Sequence, residues 1–218
     1  VVTRGAVAAE GVEGGFSAAY RVLSVFEESG QARRGYVVEG LGAAQFAMDG
    51  AVDRLRAVST ARERAGGGTG AMPWDARPPA GQASAGRRAV VLAAADPANA
   101  HGAALPWPDP PAGATHKPGR KAGALVVLLD GALALYVERG GKTLLAWPQE
   151  AGADTVSGDD PGLREAAAAL AGAARAGALG TVTVERVNGS PALSSPLGTL
   201  LESAGFHATP KGLRLRAQ

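Results

Sequence analysis

Apolar residues return at helical spacing along the chain after Gly14-Gly15. Phe16, Ala19, Tyr20, Leu23 and Phe26 share one face, and Ser17, Arg21, Ser24 and Glu28 fall opposite. This pattern predicts an amphipathic helix from Phe16 to Ser29, stopped by Gly30 in the manner of a left-handed cap. Before it, Thr3 can cap a short helix from Arg4 to Glu10. After it the period changes to two. Gly35 to Glu39 reads as a strand, Gly40-Leu41-Gly42 as a turn, and Gln45-Phe46-Ala47 as the returning strand. Asp49 caps a last short helix whose Val52 and Leu55 face inward.

The later pattern is different. Ala89 to Ala94 is a strand, followed by an irregular proline-rich crossing through Leu105-Pro106-Trp107-Pro108. Ala122 to Leu129 is apolar on both faces, which predicts a strand inside a sheet. Asp130-Gly131 is a two-residue turn requiring positive φ, and Ala132 to Glu138 returns. Gly140-Gly141 turns again into Thr143 to Trp147. Asp160-Pro161 opens a helix to about Ala176, and Ser195-Pro196 opens another, by the cap-then-proline rule. Thr181 to Val187 alternates as a strand, and Leu213 and Leu215 alternate with Arg214 and Arg216 in a final one.

Together these elements predict an α+β chain in three parts. Residues 1–66 form a winged-helix module, incomplete at its N-terminus because the first helix of that arrangement is missing. Residues 67–86 form a Gly/Pro-rich linker, in which Trp74 is the only aromatic side chain. Residues 87–218 form a mainly β, barrel-like domain with covering helices.

Composition narrows the function. The 218 residues are 46% hydrophobic but only 5% aromatic, so the cores rest on Val, Leu and Ala. A net charge of +2 is too mild to mark a nucleic-acid binder, so any basic surface is local. Cysteine is absent, which excludes disulfides and thiolate metal sites. Val1-Val2-Thr3-Arg4 is no secretory signal, and the run from Ala122 to Leu129 is too short to span a membrane. The expectation is a cytoplasmic protein with no membrane partner.

Gly140-Gly141-Lys142-Thr143 imitates the tail of a phosphate-binding loop. The full pattern needs glycine at position 136, which is Tyr136, and a helix where Leu144 to Trp147 reads as strand. His101, His116 and His207 lie too far apart to suggest a metal site. No carboxylate has an evident acid/base partner, so no catalytic residue is assigned.

The basic groups carry more. Arg33 and Arg34 stand at the root of the hairpin, where guanidinium groups can meet phosphates. Ser17 and Arg21 occupy the outer face of the preceding helix. Lys117, Arg120 and Lys121 cluster before the central strand. A solvated surface is the competing reading, because residues 1–66 carry as many acidic as basic side chains.

The runs Gly14-Gly15-Phe16-Ser17, Tyr20-Arg21-Val22-Leu23, and Arg33-Arg34-Gly35-Tyr36-Val37-Val38-Glu39-Gly40-Leu41-Gly42 resemble the C-terminal region of Lhr-type (large helicase-related) bacterial helicases. So do Ala94-Ala95-Asp96-Pro97-Ala98-Asn99, Arg120-Lys121-Ala122-Gly123-Ala124-Leu125, Leu135-Tyr136-Val137-Glu138-Arg139-Gly140-Gly141 and the closing Gly212-Leu213-Arg214-Leu215-Arg216. The resemblance covers nearly the whole chain. It implies a superfamily II, ATP-dependent 3′-to-5′ DNA translocase whose C-terminal extension is an array of winged helices ending in a β-barrel, similar to AlkZ-like DNA glycosylases. By that resemblance this chain is an accessory module of a DNA-repair helicase. Its partners would be DNA or an RNA–DNA hybrid, the upstream helicase and winged-helix domains, and other copies in a homo-oligomer. ATP and Mg would belong to the parent's core, with no cofactor here. Base excision is the rival activity and structural oligomerisation a third reading. An aspartate near the extreme C-terminus is implicated in the glycosylase activity proposed for such extensions. Here the tail is Leu215-Arg216-Ala217-Gln218, without one.

Overall fold

The computed structural model describes residues 1–38, 40–42, 44–66, 88–149, 153–177 and 181–216, with no side chains described for 61–66. The expected linker at 67–86, with Trp74, and the tail residues Ala217 and Gln218 lie outside the described residues. Contacts divide the chain into two units, Val1–Gly86 with Gly102–Pro106, and Arg87–His101 with Trp107–Gln218.

In the first unit, α1 (Arg4–Ala9) starts where the Thr3 hydroxyl accepts a hydrogen bond from the Ala6 amide at 3.1 Å. The amphipathic helix is α2 (Gly15–Glu28). Gly30 has φ 74°, and the Gln31 amide returns to the Phe26 carbonyl at 2.8 Å, so the helix ends as its glycine predicts. The hairpin is β1 (Ala32–Gly35) with β2 (Gln45–Met48), followed by α3 (Ala51–Gly66). Phe46 also exchanges backbone hydrogen bonds with Val2, which lays the chain's opening residues along β2.

Two expectations change here. The first strand begins at Ala32, not Gly35, so the two arginines lie within the ladder. Tyr36 to Val38 leave it because the buried Gln45 carboxamide takes their backbone. Its oxygen accepts from the Val37 and Val38 amides at 3.1 and 2.8 Å, and its nitrogen donates to the Val38 and Gly42 carbonyls. The closing helix is also longer than expected, and Leu55 on it is exposed rather than inward.

The second unit holds two sheets. The larger runs β3 (Ala89–Ala93), β4 (Leu125–Leu129), β5 (Ala132–Val137), β6 (Thr143–Ala146), β8 (Arg186–Val187) and β9 (Ser190–Pro191) in spatial order. Between β6 and β8 the chain forms α4 (Pro161–Arg175) and then β7 (Val182–Val184). After β9 come α5 (Pro196–Ser203), β10 (His207–Thr209) and β11 (Gly212–Leu215). The smaller sheet is β10-β11-β7, all antiparallel. The expected single strand from Thr181 to Val187 therefore serves both sheets, with β8 parallel to β6.

Asp160 caps α4 by accepting from the Gly162 and Leu163 amides, and Ser195 caps α5 by accepting from Gly198. Leu163, Ala166, Ala167, Leu170, Ala171 and Ala174 of α4 are buried at helical spacing, and small alanines let the helix lie close to the sheet. This face, α5 and the inner faces of both sheets share one core with Val127, Leu135 and Leu144. A second cluster covers the other side of the large sheet, where Val126, Tyr136 and Leu145 meet Trp107 and Trp147.

The expected barrel-like closure is not confirmed. No closed barrel forms among the described residues: the large sheet is open, and the last strands make a sheet of their own. The apolar signal of β4 on both faces has another cause. The helices bury one face while Trp107 and Trp147 pack on the other, so a two-sided strand reads like one inside a barrel.

Candidate nucleic-acid interface

The hairpin is joined to α2 by one guanidinium. Arg34 lies opposite Phe46 in the ladder, on the side that faces the helix. It donates to the Tyr20 hydroxyl and pairs with the Glu27 carboxylate at 3.3 Å. Its carbon also sits 5.9 Å from the ring centres of both Tyr20 and Phe46. Tyr20 meets Phe46 edge-on at 5.4 Å and Phe16 at 5.9 Å, and Arg4 covers Phe16 at 5.2 Å. This chain of rings and cations sets the angle between helix and hairpin. Arg34 is thus spent on positioning.

Arg33 is next in the strand, so its side chain leaves on the other face of the ribbon. It is exposed and forms no ion pair or side-chain hydrogen bond with a described residue. Ser17 and Arg21 are exposed on the outer face of α2, as the helical period predicts. Arg21 also has no ion pair among the described residues. Among the described residues of α2 and the hairpin, Arg21 and Arg33 are thus exposed without an ion pair and Ser17 offers a hydroxyl, while Arg34 holds helix and hairpin together.

In the second unit the expected basic cluster divides. Lys117 is exposed. Arg120 points inward instead and donates to four backbone carbonyls, those of Asn99 at 2.7 Å, Ala95 at 3.1 Å, Asp96 at 3.2 Å and His101 at 3.4 Å. With the fully buried Asn99 amide, which bonds Ala94 and His101, it shapes the loop after β3. Lys121 lies 2.9 Å from Glu138, which also approaches His116 at 3.4 Å. The hydrogen bond and charge of Glu138 raise the Lys121 pKa above its ordinary value.

Gly140 and Gly141 have φ of 83° and 76° and turn the chain between β5 and β6, with the Glu138 amide bonded to Thr143 across the turn. A strand follows, not the helix that a phosphate-binding loop requires. Lys142 pairs with Glu185 at 3.3 Å. Among the described residues no group of His, Asp or Glu side chains is disposed to hold a metal ion, and no helix is long and apolar enough to cross a membrane.

Sequence reasoning missed Gln45, Asn99 and Asn188, which organise the polar loops. Asn188, at φ 49°, bonds both the amide and the carbonyl of Ala146. The available signal was a lone carboxamide beside an apolar run, as in Gln45-Phe46-Ala47.

Residues 1–66 match the family described as the winged-helix domain of large helicase-related protein. The chain is 44% identical, over 223 aligned positions, to "Lhr helicase/ probable uracil glycosylase" of Mycolicibacterium smegmatis. That alignment covers 99% of this chain and 13% of the relative. It is 38% identical over 215 positions to "Lhr helicase/uracil glycosylase" of Escherichia coli, covering 98% of this chain and 12% of that protein. The chain therefore spans only a small part of the length of these relatives.

Proposed function

This chain is a C-terminal region of the large helicase-related (Lhr) type, and from that premise we propose that its winged-helix unit is an accessory nucleic-acid contact within a larger DNA-processing protein. The observation that carries the reading is the division of labour between neighbouring arginines. Arg34 is consumed in fixing hairpin to helix, while Arg33 and Arg21 stand uncommitted on the surface. A guanidinium with free donors suits a phosphate oxygen. Ser17 adds a hydroxyl on the same outer helix face. On this reading the motor, with its ATP and Mg, belongs to upstream domains of the same polypeptide, and this unit guides the nucleic acid.

The test is the pair Arg21→Ala with Arg33→Ala, measured by fluorescence anisotropy against a short DNA duplex. Affinity should fall, and the slope of log K against log salt should flatten by about one to two, as each lost phosphate contact removes roughly one. The melting temperature should hold, because neither side chain supports another. An unchanged affinity and slope would remove the winged-helix unit from the interface.

A second reading is favoured by the names of both relatives, which include uracil glycosylase. A base-excising module must take a flipped base and supply a group that stabilises the developing sugar cation. Incubating this chain with a uracil-containing oligonucleotide and assaying released uracil separates the readings. Release would place catalysis here, and intact DNA that nevertheless binds would leave the accessory role.

A further inference from the structure

The outer face of the smaller sheet carries a cationic groove that the winged-helix reading does not use. Leu213 and Leu215 of β11 are buried, so Arg214 points outward between them, and Arg216, one residue past the strand, is exposed. In register, His207 of β10 lies beside Arg214, and Thr183 of β7 lies on its other side. Arg175, in the last turn of α4, closes one end of the groove. There it donates to the Ala204 carbonyl and crosses Gly205, where its guanidinium leaves no room for a Cβ. The groove is open, about 580 Å³ in volume, and its lining includes Arg175, His207, Thr209, Arg214 and Arg216, with no carboxylate among the described residues. None of the three arginines forms an ion pair with a described residue.

One atom in this face is unsatisfied. The Nε of Arg214 is buried and has no hydrogen-bond partner among the described residues. A buried donor left unpaired is costly, and a guanidinium donor more so, unless an acceptor arrives from outside. The cations also repel one another, which a bound anion would relieve.

We propose that this groove binds the phosphodiester backbone of a nucleic-acid strand. The inference rests on the nucleic-acid reading above but concerns a different unit and different residues. The spacing favours a backbone over a lone phosphate. Arg214 and Arg216 are two residues apart on extended backbone, so their Cα atoms are separated by roughly 7 Å, and side chains extended from them reach different phosphates. Successive phosphates of one strand meet this need, with Arg175 engaging a further one. Thr209 keeps its hydroxyl hydrogen on the Gly212 carbonyl at 2.7 Å, which stiffens the β10–β11 turn. The contacts would be to phosphates alone, so the groove should tolerate any base sequence.

The experiment uses the whole chain and a labelled 20-mer, with salt titrations of the unaltered protein, of Arg214→Ala with Arg216→Ala, and of Arg21→Ala with Arg33→Ala. The groove pair should lower affinity at low salt about five- to tenfold and flatten the salt slope by about one to two. Arg216→Glu should do at least as much, and because Arg216 is exposed that variant keeps the fold. Inorganic phosphate and polyglutamate serve as competitors. Displacement of the oligonucleotide only at salt-like concentrations of either supports a backbone site. Polyglutamate that competes as well as the oligonucleotide would assign the groove to acidic protein and overturn the proposal. So would inorganic phosphate that saturates the groove without weakening DNA binding. If the groove variants match the unaltered protein while Arg21 and Arg33 matter, the groove alone falls. If the reverse holds, the winged-helix reading falls and the groove stands.

Discussion

In the second unit Leu135, Leu144, Leu163 and Leu201 reach no solvent, whereas in the first Val22, Val25 and Val58 are each more than half exposed. Among the described residues of the first unit only Val7, Ala32, Phe46 and Ala47 are buried apolar side chains, and α2 buries none of its residues. The two units are held by different physics. The second rests on area removed from water around sheets and alanine-rich helices. The first rests on a few aromatic rings, the arginines laid over them and the hydrogen bonds of one buried glutamine. Polar substitutions should therefore matter most where apolar ones matter least.

The largest test is Leu144→Ala. It opens a cavity in the shared core and should cost about 2–5 kcal/mol in denaturant unfolding of the second unit. Its counterpart, Val22→Ala on α2, should stay within about 0.5 kcal/mol. Equal costs would erase the distinction. Gln45→Ala comes next. It strands the amides of Val37 and Val38 and should cost about 1–3 kcal/mol in the first unit. Hydrogen exchange at those two amides should quicken while β4 and β5 keep their protection. Slow exchange in the variant would mean that the loop beyond the ladder has another support.

The smallest effect concerns Tyr136. Burial, and secondarily the nearby Glu138 charge, raise its pKa above the ordinary 10.0. The unfolded chain then releases the proton at lower pH than the folded one. The stabilisation is complete below pH 10 and is lost as pH climbs through the raised value. Lys121 is raised too and pulls the same way, so the informative measurement is the difference between Tyr136→Phe and the unaltered protein. The variant loses the bond to the Gly119 carbonyl at every pH, but its stability should fall less steeply above pH 10. Parallel curves would show that the phenol is not titrating.

The legible features were local ones. Thr3, Asp160 and Ser195 sit where a cap must sit, and Gly30 and Asp130-Gly131 turn where only their backbone freedom allows, since those signals need no distant partner. The start of β1 was not legible, because Gln45 claims the amides of Val37 and Val38 from several residues away. The open sheet was not legible either, since a strand covered on two sides and a strand in a barrel carry the same apolar run. For the candidate site, charge was readable but commitment was not. Arg33 and Arg34 are identical neighbours in sequence, and only the ring of Tyr20 and the carboxylate of Glu27 decide which is spent. Arg120 looked like a surface cation until four carbonyls converged on it. The alternation of leucine and arginine in β11 was visible, but the histidine beside Arg214 comes from pairing across the sheet.

The crossing of the chain from β7 to β8 ties the two sheets to each other. Glu185 stands between them, and the Lys142 carbonyl receives both the Glu185 and Arg186 amides, at 2.7 and 3.0 Å. Tension applied to the last strands is therefore relayed within one residue to the parallel edge of the large sheet.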